Sequence, residues 1–522
     1  MGQAGRPGRR RGLRVGSNFV RPGASLSPPA TASLLERVFD LTAPGASEGA
    51  DCRRGPLLAA VVRPALDAPA ASEHVASMPL TFLAAFALQA APPAEVADLY
   101  AIADEVRPER IYADIEALVG FGTRHTLSAT QSEMRGIGAA RRWIVGEFEA
   151  ISAACGGCLE IRVVSDVVQG ERVPEPTEIV SVVAIQRGTL DPGRYVMMSG
   201  DIDSRVSDVL DATSDSPGAN DNASGVAGVL EAARVLTRYQ FAGSIAYAAL
   251  SGEEQGLYGG EIVARLAREE RWDLAAVLNN DMISNIAGID GVIDNTTARV
   301  FSEGTRAVET EEEARRRRFT GGEVDSPSRQ LARYVDAVAD TYLTNLDVMM
   351  VYRLDRYGRG GHHRPFNEAG FPGVRIMETH EHYDRQHQDL RIEGGVTYGD
   401  TIEGVDADYA AKLTALNAVT MAGLAGAPPR PRTVELTGAV EPSARLTWEH
   451  GGDEAARTDL AGYRVHWRLT TEPQWTHSRF VGDVTSWTFE NLVVDNYFFG
   501  VSAVSASGAS TPVVFPGPAG RF

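Results

Sequence analysis

Between Val96 and Gly426, apolar segments of strand length alternate with segments of helical periodicity, and this alternation constrains the fold more than any other feature. GSIAYAALS and LAAVLNND are short and apolar, as buried strands are, whereas ASGVAGVLEAARVLTRY places apolar residues at helical spacing. Such alternation predicts an α/β fold with a mixed, mainly parallel sheet flanked by helices. Binding sites of α/β sheets lie in the loops beyond the carboxyl ends of the strands. Functional residues are therefore expected directly after the predicted strands.

Acidic residues occupy the loops at these strand ends. In chain order they are Asp201 and Asp203 in SGDID, Asp221 in GANDNASG, Glu253 and Glu254 in SGEEQG, and Asp281 in NNDM, with His387 following in HYDRQHQD. A single acidic residue at such a place commonly caps a helix or forms a turn. Several carboxylates at one sheet edge would instead repel one another, and a divalent metal ion removes that cost because Asp, Glu and His are its ordinary ligands. The pattern therefore predicts a metal site.

The order of these segments resembles metallopeptidase family 28, whose pattern runs GHxDS, GAxDNxSG, GEExGLxGS and an NxDM-like strand end before a late histidine. GANDNASG and GEEQGLYGG are its most specific matches, and the resemblance extends from Val96 to Gly426. It implies a zinc exopeptidase domain of the phosphorylase/hydrolase-like fold over residues 94–426. The implied function is a metal-dependent exopeptidase of the aminopeptidase type, which hydrolyses N-terminal residues from peptides with two divalent metal ions, expected to be zinc.

The resemblance also implies a role for each residue. The implied metal ligands are Asp201, Asp221, Glu254, Asp281 and His387. Asp221 would bridge the two ions, and Glu253 would be the general base, taking a proton from a water that bridges the ions and passing it to the leaving amine. Asp203 would orient its neighbours rather than bind metal. His380 and His382 are alternatives to the late histidine, but His387 lies nearest the family's position.

Two positions depart from the family pattern. Asp201 stands where the family has histidine, and His362, in GGHHRPF, stands where an SDH or GDH segment is usual. Three interpretations follow. Asp201 binds metal through oxygen, which zinc tolerates; or His362 replaces the missing nitrogen ligand; or the site is weakened or inactive.

Other functions stay open at this point. The same scaffold supports carboxypeptidases and dipeptidases, which need a basic pocket for a terminal carboxylate, and the arginines around GGHH could form one; they are Arg353, Arg356, Arg359 and Arg364. Glutaminyl cyclases use a related fold with one metal ion, which a full second ligand set disfavours. A catalytically silent binding protein is the alternative outside the enzymes, although such a protein has no need of Glu253.

Beyond a proline-rich linker at residues 427–432, the periodicity changes to two. Segments such as ARLTWEH, GYRVHWRL and YFFGVSAVSASG predict an all-β sandwich over residues 433–522, with Trp448 and Tyr463 in its core. This stretch resembles a fibronectin type III domain. The resemblance implies a spacer or a module that binds a surface or polymer, without catalysis of its own.

Residues 1–93 form an N-terminal extension rich in Ala, Pro, Gly and Arg, and the apolar run near residues 78–91 resembles a signal peptide. A secreted or periplasmic protein is therefore predicted, and a disulfide between Cys155 and Cys158 would suit that location. The formal charge of −19 excludes nucleic acid and anionic membrane as main partners. Peptides are the expected partners, and no membrane span is predicted.

Overall fold

The structure is a computed structural model, and it describes residues 97–521. The N-terminal extension at 1–93 and its predicted signal peptide lie outside the described residues.

The described chain is a series of helices and strands. The helices are α1 Ala97–Glu105, α2 Pro108–Val119, α3 Ile137–Ala154, α4 Ser224–Leu236, α5 Tyr258–Glu269, α6 Glu311–Thr320, α7 Pro327–Tyr342, α8 His363–Glu368 and α9 Ala407–Gly426. The strands up to the end of α9 are β1 Leu159–Gly170, β2 Val173–Gln186, β3 Asp191–Asp201, β4 Gly243–Leu250, β5 Asp273–Asn280, β6 Thr297–Phe301, β7 Asp347–Val351, β8 Gly373–Glu378, β9 Arg391–Glu393 and β10 Val396–Tyr398.

Eight strands form one sheet in the order β1-β2-β4-β3-β5-β8-β6-β7. Its centre is parallel, because β3 pairs in parallel with both β4 and β5, and β5 pairs in parallel with β8. Every residue of β4 and β8 is buried, which explains why apolar residues in these strands point to both faces of the sheet rather than alternating with exposed polar ones. The predicted mixed, mainly parallel sheet is confirmed.

Helices cover both faces of the sheet. On one face α4 and α9 pack together over β3, and Val196 and Met198 of β3 belong to the larger core cluster. The alternate residues Tyr195 and Met197 belong to a second cluster, which contains Val263 of α5. Successive side chains of a strand point to opposite faces, so β3 contributes to both cores.

The last part of the chain forms two three-stranded antiparallel sheets, β11-β12-β15 and β14-β13-β16. Their strands are β11 Arg432–Thr437, β12 Ala444–Glu449, β13 Leu460–Leu469, β14 His477–Gly482, β15 Ser486–Phe489 and β16 Tyr497–Ser505. The predicted all-β region is confirmed, and Trp448 and Tyr463 lie buried in its core with ring centroids 5.5 Å apart.

This β region packs against the larger α/β part through buried polar contacts. Asp325, which precedes α7, accepts hydrogen bonds from Arg333 of α7 at 2.8 Å and from Arg468 of β13 at 2.7 Å. All three side chains are at most 1% exposed. Trp475 adds a hydrogen bond from Nε1 to Gln330 of α7 at 2.9 Å.

Cys155 and Cys158, at the end of α3, form a disulfide, as predicted. Within residues 97–521, none of the helices has both the length and the apolar character needed to cross a membrane.

Candidate metal centre

The acidic residues singled out in the sequence meet at one edge of the sheet. Strands β4, β3, β5 and β8 are neighbours in the parallel centre, so their carboxyl ends lie side by side. Asp201 is the last residue of β3, Asp281 directly follows β5, and Glu253 follows β4 by a short turn. Asp221 lies just before α4, and His387 lies in the loop after β8.

Three of these side chains converge. His387 Nε2 lies 2.9 Å from Asp221 Oδ2 and 2.8 Å from Glu254 Oε1. Within residues 97–521, this is the only trio of His, Cys, Asp or Glu side chains found with one ligand atom from each within 4.8 Å of the others. We call Asp221, Glu254 and His387 the Asp221 cluster.

The Asp221 cluster fits a divalent metal ion. Burial alone would lower the pKa of His387, but the charges of Glu254 and Asp221 raise it to about 9. Burial likewise opposes ionisation of Asp221 and Glu254, yet the charge of His387 brings the pKa of both carboxyl groups below the usual range. One imidazole nitrogen and two ionised carboxylates, gathered around one proton, are the ligand types that zinc takes. The ion would replace that proton.

Two further residues hold the Asp221 cluster in place. Arg205 donates from Nε to Glu254 Oε2 at 2.7 Å, and its Nη2 lies 2.5 Å from His387 Nδ1. Asp400 accepts the backbone N–H of Asp221 at 2.6 Å and that of Asn220 at 3.0 Å. Arg205 immediately follows the SGDIDS segment, but neither residue belongs to a quoted motif, so the sequence analysis missed both.

Asp203 orients the loop that carries the two adjacent glutamates. Its Oδ1 accepts the backbone N–H of Glu253 at 3.2 Å, and its Oδ2 accepts that of Glu254 at 3.0 Å. Thr126 donates to Oδ2 at 3.0 Å. These contacts place Asp203 behind the Asp221 cluster, where it holds the backbone of both glutamates.

Glu253 and the Asp221 cluster line one cavity of about 500 Å³. Burial raises the pKa of Glu253 well above its usual range, and the charges of Glu254, Asp281 and Asp201 raise it further. The same cavity is lined by five arginines, which are Arg172, Arg205, Arg356, Arg359 and Arg364. The wall of the cavity therefore carries both signs of charge.

Asp201 is not part of the Asp221 cluster. Its Oδ1 contacts Nδ1 of His362, and its Oδ2 accepts a hydrogen bond from Asn222 Nδ2 at 2.8 Å. His362 is buried, and its Cδ2 lies against the backbone of Gly260 in α5. The structure thus places the two residues that depart from the family pattern against each other.

Asp281 pairs with an arginine. Arg375 Nη2 lies 2.6 Å from Asp281 Oδ2, and Arg356 Nη2 lies 4.0 Å from the same oxygen. Burial raises the pKa of Asp281 well above its usual range, although the charge of Arg375 opposes the shift. Arg375 is central in β8 and was not predicted from the sequence; the indication was a charged residue between the apolar Val374 and Ile376.

The alternative histidines lie elsewhere. His380 Nδ1 lies 2.8 Å from Asp290 Oδ2, and burial lowers the pKa of His382. Neither histidine lines the cavity that His387 lines.

Comparison with known proteins gives a consistent group of matches. The family profile named Peptidase family M28 matches residues 181–394. A protein of Pyricularia oryzae named "Probable zinc metalloprotease" is 44% identical over 81% of this chain and 85% of its own length. One with the same name from Pyrenophora teres f. teres is 42% identical over 81% of this chain and 87% of its own length. Among solved structures, the Legionella pneumophila LapA aminopeptidase matches with a TM-score of 0.46 and 19% identity, over 63% of this chain and 72% of that chain.

Proposed function

Because the chain belongs to peptidase family M28, as a zinc metalloprotease, we propose that it is an exopeptidase that removes N-terminal residues from peptides. The observation that carries the proposal is that the Asp221 cluster and Glu253 line the same cavity. Metal-dependent peptide hydrolysis uses a metal ion as Lewis acid, a base and room for the scissile bond at one place, and these residues would supply the metal ligands and the base.

Each residue of the centre has a defined task in this proposal. A zinc ion held by Asp221, Glu254 and His387 would stabilise the negative charge that develops on the scissile carbonyl oxygen. Glu253 accepts a proton from the attacking water and donates it to the leaving amine as the C–N bond breaks. Asp203 keeps Glu253 directed into the cavity, because it holds the backbone of that loop through two hydrogen bonds.

The acidic part of the cavity wall suits a free N-terminus. Asp281 lines the cavity, and its Oδ1 has no hydrogen-bond partner among the described residues. A buried carboxylate oxygen without a partner is costly, and an α-ammonium group would satisfy it. This supports an aminopeptidase over an enzyme that binds the carboxyl end.

A carboxypeptidase or dipeptidase is the second candidate, and the arginines in the cavity wall support it. Arg359 and Arg364 line the cavity, and each is about one-third exposed. Arg359 donates to Glu381 and Gln386 at 3.1 Å, whereas the hydrogen bond found for the Arg364 side chain among the described residues is a 3.4 Å contact with Glu368. Arg364 is therefore the residue best placed to receive a terminal carboxylate.

Three further features stay predictions: the second metal ion, the fibronectin type III-like module and the location of the protein. The second ion, at Asp201, Asp221 and Asp281, is a prediction from the family pattern. We also propose that the β region is a fibronectin type III-like module for a surface or polymer, and that the protein is secreted or periplasmic; the Cys155–Cys158 disulfide supports the second of these.

The test is a substrate panel. Purified protein is incubated with aminoacyl-p-nitroanilides, N-blocked peptides and peptides with N-terminal glutamine, with and without chelator and with zinc add-back. Chelator-sensitive cleavage of free N-termini only is the expected result. Cleavage of N-blocked peptides from the carboxyl end would establish the second candidate, and Arg364→Met would then raise KM. Formation of pyroglutamate without cleavage would contradict the exopeptidase proposal.

A further inference from the structure

We propose that this chain binds one metal ion, at the Asp221 cluster, and that Arg375 supplies at Asp281 the positive charge that a second ion would otherwise supply. The proposal rests on the proposed function in one respect: it requires the zinc ion proposed at the Asp221 cluster. It concerns the pair of side chains that the family pattern assigns to the second ion, Asp201 and Asp281. Both oxygens of Asp201 contact groups of this chain, and Asp281 is paired through Oδ2.

Arg375 is fixed at Asp281. Its side chain is fully buried, and Asp281 is 5% exposed, so water does not screen their 2.6 Å contact. The other end of the guanidinium donates from Nη1 to Gly360 O at 2.7 Å and to Asp355 at 3.2 Å. A guanidinium stays protonated in proteins, so the charge beside Asp281 is permanent. Arg356, 8% exposed and 4.0 Å from the same oxygen, adds a second cation.

Asp201 has both carboxylate oxygens engaged. One contacts the ring of buried His362, and the other accepts the hydrogen bond from Asn222 at 2.8 Å. Asn222 is itself fixed, because its amide also donates to Asn280 O at 2.7 Å. The carboxylate of Asp201 is therefore held toward His362 and Asn222 by contacts within this chain.

The positions of Asp201, Asp221 and Asp281, the three residues predicted to bind the second ion, agree with their contacts. The Asp221 cluster is the only trio found within residues 97–521 whose ligand atoms all lie within 4.8 Å of one another. Asp201, Asp221 and Asp281 do not form such a trio. The residues present therefore do not fit a second ion, in contrast to the first.

The electrostatics explain why one ion is enough to hold the acidic edge together. Each of the three carboxylates Asp221, Glu254 and Asp281 has a cation beside it: His387 or a metal ion for Asp221 and Glu254, and Arg375 for Asp281. A divalent ion at Asp281 would lie close to a guanidinium that cannot lose its charge, and like charges in a buried site repel strongly. Arg375 is thus a positioning residue, which holds Asp281 in the cavity wall.

The experiment measures bound zinc. The full chain is saturated with zinc, desalted, and analysed for zinc per chain by mass spectrometry of the intact protein and by elemental analysis. We expect one zinc in the wild type, one in Asp281→Asn, and none in His387→Ala. In a two-ion enzyme, the wild type would bind two and Asp281→Asn one. Two zinc ions in the wild type would therefore overturn the inference while the proposed function stands.

Zinc-free wild type after saturation would instead overturn the proposed function, and with it the inference. A second measurement does not depend on any variant folding. In crystals of the zinc-saturated chain, anomalous scattering should show one zinc peak beside Asp221, Glu254 and His387, with Arg375 still paired to Asp281. A second peak between Asp201 and Asp281 would overturn the proposal.

Discussion

At the scale of single residues, Glu253 and Glu254 are chemically identical neighbours with different surroundings. Glu254 contacts His387 and Arg205, whereas the charges of Glu254, Asp281 and Asp201 act on Glu253 and oppose its ionisation. These different surroundings support the proposed roles, with Glu254 as a metal ligand and Glu253 as the residue that moves the proton. Asp203 makes this division possible, because its two oxygens hold the backbone of both residues.

Glu253→Gln should lower kcat by roughly 10²–10⁴-fold, because the amide cannot accept the proton from water. Bound zinc should not change, since Glu253 is not in the Asp221 cluster. The measurement is peptidase activity together with zinc content. Glu261→Gln, an exposed glutamate in α5, is the matched control and should keep full activity. Full activity in Glu253→Gln would exclude it as the base.

Asp400→Ala should weaken zinc binding by about 10–100-fold, because Asp221 loses the carboxylate that holds its backbone N–H. Competition with a chromophoric chelator measures this affinity. Asp408→Ala, at an exposed position in the first turn of α9, is the control. An unchanged zinc affinity in Asp400→Ala would show that Asp221 is held by its other contacts.

The sequence predicted some of these residues and not others, for a physical reason. Glu254 follows β4 and Asp221 precedes α4, each in a specific motif, and the parallel order of β3, β4 and β5 brings the strand ends to one edge. Arg375 and Asp400 act through pairings at long separation in the chain, and no local pattern identifies the partner of a buried charge. A lone arginine in an apolar strand indicates that a partner exists, because buried arginine is almost always paired, but it does not identify Asp281.

At the scale of elements, the quoted segments predicted from periodicity correspond to β4, β5 and α4, and the structure confirms them. Periodicity does not predict which strands are neighbours in the sheet. It also does not predict the contacts that hold a loop, such as the connection from β6 to α7, which depends on a buried carboxylate. Glu303 accepts hydrogen bonds from the backbone of Ala307 at 3.1 Å and from Ser328 of α7 at 3.3 Å.

Burial raises the pKa of Glu303 from 4.5 to about 7. The folded state then binds this proton more tightly than the unfolded state, so its contribution to stability falls as pH rises from 4.5 to about 7 and stays low above that. Glu303→Gln should remove this dependence. The variant should gain up to about 3 kcal/mol relative to wild type between pH 4.5 and 8.

Denaturant unfolding at a series of pH values measures this difference. Glu323→Gln, exposed in the same connection, should show no such change relative to wild type. A stability difference between Glu303→Gln and wild type that does not vary with pH would show that Glu303 keeps its ordinary pKa.

At the scale of the whole molecule, the β region and the α/β part share a buried ion group, Asp325 with Arg333 and Arg468. The segment predicted as a linker is also packed against the α/β part. Ala427, Pro428 and Pro429 are buried, and Arg194 of β3 donates to Ala427 O at 2.6 Å. Composition alone cannot distinguish a proline-rich segment that packs from one that spans free space.

Arg468→Met should destabilise the protein by about 3 kcal/mol, because Asp325 loses one of its two buried cations. Scanning calorimetry should show one unfolding transition in the wild type and a lower Tm in the variant. Arg464→Met is the control on the same strand, since its contact with Ser478 is a marginal 3.5 Å. Two separate transitions in the wild type would show that the two parts unfold independently.

The packing of the β region on α7 determines which substrates the cavity can reach while the β region holds a ligand. Loop residues 470–476 are hydrogen-bonded to α7, and α7 packs against β7 and β8. The carboxyl end of β8 leads into the loop that contains His387. Within residues 97–521 the segment that joins the two parts is packed rather than free, so a ligand held by the β region would lie at a fixed distance and angle from the cavity. If the β region were attached by a flexible linker, the cavity could reach substrates over a wide area around the ligand bound by the β region. With a rigid attachment, the cavity would reach only peptide ends that lie in one orientation relative to that ligand.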